Sequence, residues 1–129
     1  MLYQCELTIP ANTPETSPAS AILKLARGVS TVREVEFPDG CCGLAHAKLD
    51  HGGWQVLPWT RGEWATSSGG VVKDASPYPI QEPPFEFVVF GYNEDEVHEH
   101  TLQIRVIMRE GETEEFLNLA QFLDALRGH

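Results

Sequence analysis

The stretch FEFVVFGYNEDEVHEHTLQIRVIM, residues 85–108, decides how the chain is to be read. Phe85 to Tyr92 is rich in aromatic and β-branched residues on both faces, which predicts a central strand. Leu102, Ile104, Val106 and Met108 alternate with Thr101, Gln103 and Arg105, the period of two that marks a half-buried strand. The acidic run Asn93-Glu-Asp-Glu96 lies between them, so the simplest expectation is an antiparallel hairpin with an exposed acidic tip.

The same period recurs upstream. Tyr3, Cys5, Leu7 and Ile9 share one face, with Gln4, Glu6 and Thr8 on the other. Prolines at 10, 14 and 18 then forbid a continuing ladder and predict an irregular connection. Residues 19–26 fit a strand or a short helix, the strand being the first expectation, and Gly28 ends it. Val29, Thr31, Arg33, Val35 and Phe37 share one parity, opposite Glu34 and Glu36, up to the turn Pro38-Asp39-Gly40. Leu44–Leu49 and Trp54–Leu57 flank Asp50-His-Gly-Gly53, whose glycines supply the positive φ angles of a tight hairpin.

Residues 58–84 read as a long loop. They carry five prolines, Ser67-Ser-Gly-Gly70 and one short apolar run, Val71-Val72. Loops of this length are uncommon in compact domains unless they bind something, and Trp59 and Trp64 argue against a solvated tether. Seven or eight short strands without strand–helix alternation predict a mainly β fold. The expected architecture is an antiparallel β-sandwich or jelly-roll-like domain over residues 1–110.

Residues 111–129 are expected to add one C-terminal amphipathic helix. Thr113 suits an N-cap, and Glu114 and Glu115 suit the positive end of the dipole. Phe116, Leu119, Ala120, Leu123 and Leu126 fall on one face. Each large side chain of that stripe contributes roughly 1.5–3 kcal/mol when buried. The stripe is therefore expected to pack on the sheet or on a neighbouring subunit, which makes Phe116, Leu119, Leu123 and Leu126, with Trp59 and Trp64 of the loop, the candidate interface residues.

At 129 residues, 42 % hydrophobic and 22 % charged, the composition is that of one globular domain. Nineteen acidic against nine basic residues give a net charge of −10, which repels nucleic acids and anionic membranes. No apolar run approaches the roughly 20 residues of a membrane span, and the chain opens on a strand pattern rather than a signal peptide. Cys5, Cys41 and Cys42 form no C-x-x-C spacing, so free thiols and a reducing, cytoplasmic place of synthesis are expected.

Catalytic readings lack parts. There is no G-x-S-x-G elbow and no phosphate-cradling loop, since Gly52-Gly53 and Gly69-Gly70 precede no lysine and helix start. His98 and His100 would point to one face if both stood on a strand, making them the candidate metal ligands, with His46, Cys41 or Cys42 as distant third partners. Trp54, Trp59 and Trp64 are candidate stacking platforms for sugar rings. No cofactor is expected.

Tyr92-Asn-Glu-Asp-Glu96, followed by His100-Thr-Leu-Gln-Ile-Arg-Val106 and preceded by the opening Tyr3-Gln-Cys-Glu-Leu-Thr-Ile-Pro10, resembles small β-sandwich virion proteins of tailed phages and related viruses. The resemblance implies a capsid-decoration or connector protein that assembles through loops and terminal arms rather than by catalysis. Its partners would be copies of itself, as a homo-oligomer, or other structural proteins, and its location the virion. That class shares no active-site motif, so the resemblance assigns no functional residue, and the C-terminal helix departs from a bare sandwich. The first expectation is thus a structural assembly protein that is not an enzyme. A carbohydrate-binding module comes second, and a metal-dependent enzyme at His98 and His100 third.

Overall fold

The computed structural model describes residues 1–110, except the side chain of Glu110. Ten strands occur among them: β1 (Leu2–Ile9), β2 (Ala19–Lys24), β3 (Gly28–Glu36), β4 (Ala45–His51), β5 (Trp54–Leu57), β6 (Ala65–Thr66), β7 (Val71–Asp74), β8 (Tyr78–Ile80), β9 (Glu86–Asn93) and β10 (His100–Glu110). They form two antiparallel sheets. The first runs β1-β10-β3-β7 with β8 also on β3, and the second runs β2-β9-β4-β5 with β6 also on β4. The expected C-terminal helix, with Phe116, Leu119, Leu123 and Leu126, lies outside the described residues. No helix long and apolar enough to cross a membrane occurs among the described residues.

The pairings nest. β1 pairs with β10 and β2 with β9, then β3 with β7 and β8, then β4 with β5 and β6. The chain is therefore one long ribbon folded back on itself, its halves alternating between the two sheets. Inward residues from both sheets, among them Leu7, Ile9, Val35, Leu49, Phe87, Val89, Leu102, Ile104 and Val106, make a single core. Gly91 on β9 is a point of close approach: a Cβ there would lie 2.5 Å from Ile9 Cδ1 and 2.9 Å from Leu7 Cδ2.

The β1 alternation is as the sequence implies, with Leu7 and Ile9 buried. Residues 19–24 are a strand, and Gly52 and Gly53, at φ 56° and 86°, turn β4 into β5. β9 is central, between β2 and β4.

Three expectations need correction. β9 and β10 are not a hairpin: β9 belongs to the second sheet and β10 to the first, so residues 94–99 cross between sheets. The 58–84 segment is not one long loop either. It contributes β6, β7 and β8, each held by a strand far away in sequence. On β3 the strict parity fails, because the register against β10 shifts between Ile107 and Met108. Val29 and Ser30 are both buried, and Thr31 is left half-buried.

Arg33 is fully buried on β3. Its Nη1 donates to Ser30 O at 3.1 Å and its Nη2 to Ser76 O at 2.8 Å, while Asp74 Oδ1 lies 3.5 Å away. Burial lowers the Arg33 pKa, and Asp74 opposes that shift. The guanidinium thus ties the 74–78 connection to the sheet instead of facing solvent.

Candidate functional site

The outward faces of the two sheets differ. On the first, polar groups pair across strands: Glu6 with Gln103 at 3.0 Å, Thr8 with Thr101 at 2.9 Å, and Arg105 with Glu36 at 3.3 Å. Leu2 and Ile107, cross-strand partners, interrupt that pattern at 56 % and 41 % exposure. On the second sheet, inward Phe87, Val89, Gly91 and Asn93 leave Glu86, Val88, Phe90 and Tyr92 facing outward and half-buried. β4 alternates in the same way, with Ala45, Ala47 and Leu49 inward and His46 and Lys48 outward. Ile22, opposite Val88 on β2, is 55 % exposed.

Register then assembles an aromatic shelf. His46 is paired with Tyr92 across β4 and β9, and their rings stack with centroids 4.3 Å apart and planes 7° from parallel. Trp64 meets Tyr92 edge-on at 4.8 Å and 89°. Lys48 Nζ lies 4.8 Å from the Trp64 centroid and 5.7 Å from that of Phe90. Glu94 Oε1 accepts from His46 Nε2 at 2.7 Å, which fixes the imidazole against the phenol ring.

Beside Tyr92 is an open hollow of ≈ 420 Å³, walled by residues 12–15 on one side and 92–94 on the other. Its far wall is the proline-bearing connection before β2. An isolated bridge from Thr13 to Asn93 holds that connection down, with Asn93 N donating to Thr13 O at 3.0 Å. β4 and β2 flank β9 on opposite sides. His46 therefore covers the Tyr92 ring from the β4 side, and the hollow opens on the β2 side. Burial, together with the charges of Glu15 and Glu94, pushes the Tyr92 hydroxyl pKa up.

The acidic run is solvated at Glu94 and Glu96 but anchored at Asn93 and Asp95. Asn93 is buried, and its Nδ2 donates to Ile9 O, Pro10 O and His98 O. Asp95 Oδ1 accepts from the Val97 and His98 amides at 2.9 and 3.0 Å, and its Oδ2 lies 2.9 Å from His100 Nε2. Those amide bonds, then His100, hold the Asp95 pKa down at about 2.

The candidate metal ligands differ in their surroundings. His98 is exposed in the crossing loop, whereas His100 opens β10, is buried and is spent on Asp95. Among the described residues no group of three or more His, Cys, Asp or Glu side chains is placed to hold a metal ion. Cys5, Cys41 and Cys42 are free thiols, Cys41 buried with its Sγ donating to Ser67 O at 2.9 Å and Cys42 exposed.

The tryptophans have separate fates. Trp64 belongs to the shelf. Trp54 is 48 % exposed with the Arg61 guanidinium 4.0 Å from its ring centroid, and Trp59 is 59 % exposed. Sequence reasoning missed Tyr92, His46, Lys48, Glu94 and Glu15 as a set. The signal was present in the Ala45-x-Ala47-x-Leu49 alternation, which sends His46 and Lys48 outward, and in the parity that joins Phe90 to Tyr92.

No protein-family model matches the chain, and no curated protein matches it either.

Proposed function

We propose that the protein is a structural assembly subunit, of the capsid-decoration or connector kind, that works through contacts with copies of itself and with other structural proteins. The observation that carries this reading is the outward face of the second sheet. Exposed Ile22 sits beside Val88, and the half-buried Phe90, Tyr92 and Trp64 continue the apolar surface along the sheet. Contiguous apolar surface of this kind marks sites of association, and aromatic rings are enriched in interfaces. The nested pairing of the strands supports the reading at the level of fold, since it is the pairing of a jelly roll, an architecture used in viral capsids and in lectins.

Light scattering across a concentration range tests it. The wild-type chain is expected to form a defined oligomer, and Ile22→Asp or Val88→Asp to shift it toward monomer with an unchanged β circular-dichroism spectrum. A wild-type chain that stays monomeric at every concentration overturns self-assembly.

The exposed indoles of Trp54 and Trp59 favour a second reading, a carbohydrate-binding module. Tryptophan fluorescence that stays flat across a glycan panel would remove it.

A further inference from the structure

We infer that the hollow beside Tyr92 receives a cationic side chain, an arginine guanidinium above all, presented by a basic partner protein unlike this chain. The inference rests on the assembly reading and names the chemistry of one contact within it.

Three observations lead there. First, the hollow is lined by an aromatic residue, Tyr92. His46 occupies the β4 side of the Tyr92 ring, and the hollow lies on the other side. Second, the side-chain donors on its walls other than the Tyr92 hydroxyl already make hydrogen bonds. Asn12 Nδ2 donates to Glu96 O at 3.3 Å, Thr13 Oγ1 to Pro10 O at 2.7 Å, and Asn93 Nδ2 to three carbonyls. Acceptors remain. Glu15 is exposed and forms no ion pair among the described residues, and Glu94 uses one oxygen on His46. A site whose open groups are mostly acceptors, two carboxylates and the Tyr92 hydroxyl oxygen, suits a ligand that only donates. Guanidinium has five N–H donors and no acceptor, whereas a sugar hydroxyl needs both kinds of partner.

Third, the chain forms this pairing within itself. Arg61 lies 4.0 Å from the Trp54 centroid, and Lys48 covers Trp64. At the hollow no cation among the described residues takes that place, and two carboxylates stand beside the ring. The net charge of −10 disfavours a second copy as the source and draws in a basic partner.

The probe is Nα-acetyl-arginine amide, followed by amide chemical shifts of the ¹⁵N-labelled full chain. Nα-acetyl-citrulline amide serves as a neutral control of the same shape, and methyl glucoside as the sugar control. The arginine probe is expected to shift residues 12–15 and 92–94 in a saturable way. Glu15→Gln with Glu94→Gln is expected to weaken it about tenfold, the size of two surface ion pairs lost together. Added salt is expected to weaken it as well. Unmoved resonances elsewhere in the double variant certify its fold.

No shift with arginine, equal shifts with citrulline, or shifts at these residues with the glucoside alone each overturn the inference. Ile22→Asp separates the two readings, because it lies on the apolar surface and outside the hollow. If that variant disrupts assembly while the arginine probe fails on the wild type, this inference falls and the assembly reading stands. If the chain never assembles yet binds arginine at these residues, self-assembly falls and the cation site stands.

Discussion

Asp95 and His100 close the crossing between the two sheets on itself: Asp95 Oδ2 lies 2.9 Å from His100 Nε2, and the same carboxylate accepts from the Val97 and His98 amides. Asp95 has a folded-state pKa of about 2, below its ordinary 3.8. A depressed carboxylate makes the unfolded chain the stronger proton binder. Its stabilisation is therefore fully present above pH 3.8 and lost as the pH falls to about 2. Urea denaturation at a series of pH values is expected to show wild-type stability falling through that window, with Asp95→Asn less stable at neutral pH and flatter below it. Parallel curves for the two proteins would show that Asp95 does not carry the effect.

Gln55 holds the segment that bears Trp59. Its Nε2 donates to Pro58 O, Thr60 O and Glu63 O, and its Oε1 accepts from Gly62 N. Gln55→Leu keeps the volume and removes every one of these bonds, leaving the Pro58 and Glu63 carbonyls without the Gln55 donor while Thr60 O keeps the Glu63 amide. The expected cost is about 1–3 kcal/mol, measured by denaturation. Amide exchange is expected to rise at residues 58–63 and to stay unchanged on β9. Uniform exchange across the chain would mean that Gln55 is a general core residue rather than the anchor of this loop.

Gly91 admits the inward side chains of β1. A Cβ there would come within 2.5 Å of Ile9 Cδ1 and 3.1 Å of Ile9 Cγ1, so both Ile9 and Leu7 would have to move. Gly91→Ala is expected to destabilise by about 1–3 kcal/mol through overpacking. Ile9→Val in the same chain is expected to recover part of that loss, because it removes the nearest methyl. Additive costs in the double variant would place the strain elsewhere.

What the sequence made legible were features set by near neighbours. The parity of Tyr3 to Ile9 and of Leu102 to Met108 follows from burial on one face, and Gly52-Gly53 from the φ angles of the turn. The crossing at residues 94–99 was not legible, because its anchors are Ile9 and Pro10, more than 80 positions from Asn93. β6 and β8 have two and three residues, too few to show a period, and exist because β4 and β3 pair with them. The parity of β3 sets Arg33 among apolar residues, but its partners Ser76 and Asp74 come from more than 40 positions away and were not legible. The shelf was half legible: parity places Phe90 and Tyr92 together, but only register across two strands sets His46 against Tyr92.

The nested ribbon has a consequence for synthesis. Among the described residues β1 has a single strand partner, β10, and the two meet from Leu2 with Ile107 to Ile9 with His100. β1 leaves the ribosome ahead of the other nine strands and stays without its hydrogen-bond partner until they have all been made. β2 likewise waits for β9. Contacts so distant in sequence make folding slow and leave strand edges open in the meantime. Neither sheet of the growing chain is complete before its late strand, β10 for the first and β9 for the second, has emerged.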